Sequence, residues 1–162
     1  MRASLRLYCI ALSITASSCG PAAPASLTEA ERTAITDSIL TITRGFAAAA
    51  NALDVSRFSP LFSSDPALTF AADGNLMLVS HDSLMSMYRA TSSGFIKMEF
   101  VWDTLRVSVL EPKVAVLSGA AHLAVTDKSG KMTRQGVAVT YVFVRRDAGW
   151  RLLHGHASHR TL

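Results

Sequence analysis

The chain has 162 residues, enough for one domain with a short leader or tail. Its apolar content of 49% and mean hydropathy of +0.28 are inflated by the first eighteen residues and by the run Ala47 to Ala50, so the remainder reads as an ordinary domain with a single core. The formal charge of +4 falls to +2 once Arg2 and Arg6 are set aside (14 basic against 12 acidic residues), and no dense basic stripe with interleaved aromatics accompanies it, which argues against a nucleic-acid partner.

The opening has the form of a signal peptide. Arg2 and Arg6 precede a short apolar stretch, Leu7 to Ala16, and a small-residue region ending at Cys19. That stretch is too short to span a bilayer of about 30 Å as a helix. Ala16-Ser17-Ser18-Cys19 resembles a bacterial lipobox, with Ala where Leu is usual at the first position. The expectation is therefore a signal over 1–18, lipidation at Cys19, a tether over 19–26, and a domain over 27–162. The alternative is an ordinary secretory signal cut after Ala25. Either way the address is the bacterial cell envelope or the exterior, and the membrane enters only through the anchor. With both cysteines in this leader, the domain has no disulfide and no thiolate metal site.

Thr28 and Glu31 form a capping box that starts a helix. Ile35, Ile39, Ile42, Phe46, Ala49 or Ala50 and Leu53 recur along it at helical spacing, with Gly45 as its weak point. Asp54 caps a short second helix with Phe58, Leu61 and Phe62, where Pro60 is tolerated only near the first turn. A small hairpin follows, Ala67 to Phe70 and Leu76 to Val79, turning at Asp73-Gly74-Asn75. Ser80 caps a third helix, roughly 81–90, which is expected to bury Leu84, Met87 and Tyr88. Beyond Gly94 the segments 95–111, 113–126, 132–146 and 149–157 are rich in Val and aromatics and separated by turn signals, the pattern of a four-stranded antiparallel meander. Helices first and strands afterwards is an α+β layout.

The chain ends Arg145-Arg146-Asp147-Ala148-Gly149-Trp150-Arg151-Leu152-Leu153-His154-Gly155-His156-Ala157-Ser158. This string, a basic-Asp-Gly-Trp turn followed by a strand ending His-x-His-x-Ser, resembles the closing hairpin of the nuclear transport factor 2-like superfamily. The resemblance is especially to its SnoaL-like and association-domain branches, and the association domain of calcium/calmodulin-dependent protein kinase II ends in a very similar string. The resemblance covers nearly all of residues 28–158, although only the last fifteen or so are motif-like. It implies a cone-shaped fold in which three N-terminal helices pack on a curved, mainly antiparallel sheet around a small-molecule pocket. It also implies a homodimer. It leaves the activity open, because such folds host isomerases, dehydratases, cyclases, epoxide hydrolases and non-catalytic modules.

Strand alternation then proposes site residues. Asp103 shares a parity with Val101, Leu105, Val107 and Val109, so an inward carboxylate of general-base character is one reading; a bulge or strand start that turns it to solvent is the plainer one. His122, among Ala120, Ala121, Leu123 and Ala124, suits a pocket wall or a structural histidine. Tyr141 is a candidate ligand donor, and Tyr88 and Trp102 are candidate aromatic walls. His154 and His156 share a strand face and belong to the end-strand motif. With His159 they invite a metal, but no acid or cysteine lies close in sequence to complete the shell, and no metal or other cofactor is expected. Arg145, Arg146 and Arg151 read as a solvated rim.

Three functions remain in play. The first is an exported protein that binds a small hydrophobic or mixed-polarity ligand. The second is an enzyme doing acid/base chemistry in the same pocket, with Asp103 or a histidine as base. The third is a dimerisation module whose cavity is filled by Met77, Met85, Met87 and Met98.

Overall fold

The computed structural model describes residues 26–78 and 80–162. The signal peptide, Cys19 and all of the tether but Ser26 lie outside the described residues. Helix α1 runs Glu29–Asn51, α2 runs Val55–Phe58 and continues as a 3-10 turn, Ser59–Leu61. Strands β1 (Thr69–Ala72) and β2 (Asn75–Leu78) come before α3 (His81–Ser92). Strands β3 (Phe95–Glu111), β4 (Val114–Asp127), β5 (Met132–Arg146) and β6 (Gly149–Thr161) complete the chain.

Each helix starts where its cap dictates. Glu31 N–H donates to the Thr28 hydroxyl while Thr28 N–H donates back to the Glu31 carboxylate, closing the capping box of α1. Asp54 and Ser80 accept from the first free N–H groups of α2 and α3. Gly45 does not interrupt α1, because the stripe Ile35, Ile39, Thr43, Ala47 and Ala50 is buried against the sheet and outweighs one glycine's cost of about 1 kcal/mol. Two polar ties fix α1 on β3. The Asn51 side-chain amide bonds both the N–H and the carbonyl of Phe100, and the Trp102 indole N–H donates to the Thr43 carbonyl at 3.2 Å.

The six strands form one mixed sheet in the order β2-β1-β6-β5-β4-β3. The long meander is antiparallel as expected, but β1 lies parallel to β6, so the small hairpin extends the same sheet. There are three α-helices among the described residues, and the first hairpin stands between α2 and α3, the order expected from the caps and turns.

One face of the sheet carries the core. Ala115, Leu117 and Ala121 of β4, Val137, Val139, Tyr141 and Phe143 of β5, and Trp150, Leu152 and Ala157 of β6 are all buried there beneath the helices. Of the four register shifts in the sheet, two decide which residues face inward around the site. In β3, Trp102 pairs with Ala121 and Thr104 with Ala120, leaving Asp103 as the extra residue of a bulge. In β6, Leu152 pairs with Phe143 and His154 with Val142, leaving Leu153 extra. Inward residues of β3 are thus Phe100 and Trp102 before the bulge and Leu105, Val107 and Val109 after it, while Val101 is exposed.

Gly155 marks where β6 meets the hairpin. A Cβ there would lie 2.4 Å from the Phe70 ring, so only glycine lets that ring sit flat on the strand. The β1–β2 turn uses Asp73 (φ +48°) and Gly74 (φ +82°), the two left-handed positions of a type I′ hairpin.

Candidate functional site

Between the helices and the inner face of the sheet lies a cavity of about 370 Å³. That is within the size range of small-molecule sites, roughly 300–1,000 Å³. The helices contribute Phe46, Ala50, Phe58, Met87, Tyr88, Thr91 and Ser92. The sheet contributes Phe70, Ala72, Met77, Phe95, Met98, Phe100, Leu123, Val125, Gln135, Val137, Val139, Tyr141, Ala157 and His159. None of these lining residues is an Asp, Glu, Lys or Arg, so the space favours an uncharged occupant. Met77, Met87 and Met98 edge the cavity without filling it, and Met85 is packed into the core instead.

Its aromatic wall is cross-braced. Phe58 meets Phe46 at a centroid distance of 5.1 Å and Tyr88 at 5.2 Å, the latter edge to face. Tyr88 and Tyr141 are the polar features of the deep end. Neither hydroxyl bonds to a described residue, and neither is sealed off as a buried orphan, so both open onto the cavity. Burial pushes both phenols above their ordinary ionisation range, and for Tyr141 the nearness of Tyr88 adds to the rise.

At the other end His159 projects from the inner face of β6, opposite Val137. Its Nδ1 lies 2.8 Å from one carboxylate oxygen of Asp73, and its main-chain N–H donates to the other oxygen, also at 2.8 Å. These two bonds, the main-chain one foremost, hold the Asp73 carboxyl below the usual carboxylate range. The Asp73 N–H donates in turn to the Ala157 carbonyl at 3.3 Å, pinning the hairpin turn to β6.

The residues singled out from the sequence divide between the two faces. Tyr88 and Tyr141 line the cavity. Trp102 stands behind its wall, edge to face on Phe100 with its N–H committed to Thr43. Asp103 and His122 are brought together, carboxylate to Nδ1 at 2.7 Å, but on the outer face in an open groove with Ala120, Gly136 and Ala138. The inward orientation of Asp103 fails because the bulge at that very residue reverses the alternation. His154 and His156 lie beside Thr69 and Ala71 on the outer face, since the bulge at Leu153 puts Gly155 and Ala157 inward. His159, considered only as a third metal ligand, is the histidine at the cavity. Among the described residues no three His, Cys, Asp or Glu side chains gather into one group.

The sequence cue for His159 was the two-residue period from the buried Ala157; Gln135 holds the same position relative to Val137 on β5. Of the arginines on the closing turn, Arg146 pairs with Asp65 at 3.0 Å and Arg151 donates to the Trp150 carbonyl.

No curated protein matches the sequence. Solved structures do match the fold. A nuclear transport factor 2-like superfamily protein from Salmonella enterica serovar Typhimurium superposes with a TM-score of 0.72 at 17% identity, over 78% of this chain and 92% of its own. A proposed scytalone dehydratase from Novosphingobium aromaticivorans gives 0.72 at 9% identity, over 83% and 89%. A proposed calcium/calmodulin-dependent protein kinase II association domain from Xanthomonas campestris gives 0.59 at 21%, over 85% and 91%. At these identities the likeness is one of fold, and it includes both a proposed enzyme and an association domain. The model of the SnoaL-like domain matches residues 39–161, most of the chain from mid-α1 to the end of β6. The chain belongs to the SnoaL-like domain family and has the nuclear transport factor 2-like fold.

Proposed function

We propose that this protein is an exported binder of a small, uncharged, mainly apolar molecule. The observation that carries the reading is the cavity of about 370 Å³, walled by aromatics and methionines, onto which two phenol hydroxyls open without a partner among the described residues. An apolar body with one or two polar atoms suits such a space, since unpaired hydroxyls in a dry cavity select for groups that bond them. Binding is preferred to acid/base catalysis by Asp103 and His122 because that pair sits on the opposite face of the sheet. It is preferred to a vestigial pocket because the methionines leave the space open. Export and the anchor at Cys19 rest on residues 1–25 alone, and no described helix is long and apolar enough to cross a membrane. A homodimer belongs to the same proposal; small residues on the outer face, Ala120, Gly136 and Ala138, give a second copy room to approach.

The test is retention. The purified full chain is examined by native mass spectrometry, and its melting is followed against a panel of ring-containing neutral metabolites, because a ligand of the folded state raises Tm. A retained or stabilising compound whose effect Tyr141→Phe weakens supports the proposal. Indifference to every neutral compound, or an equal effect in Tyr141→Phe, counts against it.

A further inference from the structure

The mouth of the cavity has a directional polar group that the binding reading does not use. Both oxygens of Asp73 are spent on His159, one on its main-chain N–H and one on Nδ1, so the ring can neither slide along the strand nor turn over without breaking a 2.8 Å bond. A carboxylate accepts and never donates, so it holds the proton on Nδ1 and leaves Nε2 of the neutral imidazole as a lone-pair acceptor. Nε2 bonds to no described residue, and the side chain, 29% exposed, lines the cavity. Along β5 the rows of His159 and Tyr141 are four residues apart, about 14 Å of strand. The acceptor at the mouth and the phenol in the depth thus mark opposite ends of one apolar space.

From this geometry we infer that His159 is a ligand-binding residue that accepts a hydrogen bond from the mouth-facing end of the occupant, and that Asp73 is the positioning residue that sets its direction. The inference rests on the binding reading and narrows it. The ligand class is a neutral alcohol, phenol or amine N–H compound with an apolar ring body; ethers and ketones of the same shape are poorer ligands because they offer Nε2 no proton.

The experiment uses the full chain at pH 8 with four probes of similar size: naphthalene, 2-naphthol, 2-methoxynaphthalene and 2-acetylnaphthalene, titrated by fluorescence. The native protein is expected to bind 2-naphthol about tenfold more tightly than its methyl ether, the worth of one good hydrogen bond. In His159→Phe the preference falls to within about twofold, while naphthalene, which needs only the apolar wall, still binds and reports an intact cavity. Asp73→Asn separates positioning from scaffolding. Asparagine tolerates the positive φ of the turn, its oxygen can accept the main-chain N–H, and its NH2 donates to Nδ1. The proton then moves to Nε2, and the preference inverts towards 2-acetylnaphthalene. A preference for 2-naphthol that survives His159→Phe, or an Asp73→Asn protein that loses all probes equally, overturns the inference and leaves the binding reading standing. Failure of every probe, naphthalene included, on the native chain overturns both.

Discussion

Of the three carboxylate–imidazole pairs among the described residues, two have nearly equal geometry, Asp73–His159 at 2.8 Å and Asp103–His122 at 2.7 Å. In each the carboxylate holds Nδ1, so by bond lengths alone they are interchangeable. Their surroundings separate them. The first closes a type I′ turn onto β6, accepts a second, main-chain bond and stands at the mouth of an apolar cavity. The second sits on the outer face beside small residues in an open groove, with the His122 side chain 63% exposed. An imidazole's partner orients it; what it can do then depends on the dielectric and the space in front of the free nitrogen.

That contrast between faces can be attacked first through packing. Phe143→Ala removes a fully buried ring from the inner face and is expected to cost about 3–5 kcal/mol by chemical denaturation. Val101→Ala on the outer face, where the side chain is half exposed, is expected to stay within about 0.5 kcal/mol. Comparable losses at both positions would mean that the outer face is covered in solution, as a sheet-to-sheet dimer would require. Glycines extend the test. Gly155→Ala drives a methyl into the Phe70 ring and is expected to cost about 1–3 kcal/mol and to change naphthalene affinity, since Phe70 lines the cavity. Gly136→Ala meets nothing nearer than 3.7 Å and is expected to be neutral or slightly stabilising.

Tyr141→Phe sharpens the comparison from inside the cavity. Its hydroxyl has no partner among the described residues, so the stability change at neutral pH is expected to be under about 0.5 kcal/mol, while affinity for a ligand that bonds it falls about tenfold. The pH dependence follows from the direction of its shift. A phenol whose folded-state pKa is raised contributes stability that is fully present below its unfolded value, about 10, and is lost as pH rises beyond it. Thermal melts of Tyr141→Phe should therefore show a shallower alkaline decline than the native chain. Asp73 runs the other way. Its depressed pKa means a contribution present above about pH 4 and lost as pH falls, so Asp73→Ala should flatten the acid limb of the same profile.

How far the sequence reached depends on whether a feature was local. Caps were legible because Thr28–Glu31, Asp54 and Ser80 act within three residues, and the turns at 73–75, 128–130 and 147–149 are set by Asp and Gly chemistry. The closing hairpin string carried the fold. Facing was legible only between bulges. Val137, Val139 and Tyr141 share a face because β5 is regular there, whereas a single extra residue at Asp103 or Leu153 reverses every assignment across it. Those two bulges account for Asp103, His154 and His156 lying outside and for Phe100 and Trp102 taking the inward positions. His159 was undervalued for a different reason: its partner, Asp73, lies 86 residues away and meets it only because β1 adds in parallel to β6.

The smallest expected effect is at the outer pair, where the comparison is easiest to break. An exposed carboxylate–imidazole contact gains little over its hydration, so Asp103→Asn and His122→Ala should each change stability by no more than about 1 kcal/mol. Neither residue lines the cavity, and β5 stands between His122 on β4 and His159 on β6, so affinity and selectivity for the naphthalene probes should stay native in both variants. The double variant reveals whether the bond matters to the bulge itself. If the carboxylate–imidazole contact props the extra residue outward, the two losses overlap and the double variant costs no more than the worse single one. If they add, the bulge is held by the register of β3 on β4, fixed by the packing of Phe100 and Trp102 on one side and Leu105 on the other. A change in probe selectivity from Asp103→Asn would show that the two faces communicate through the sheet, and the separation of roles between the two pairs would have to be given up.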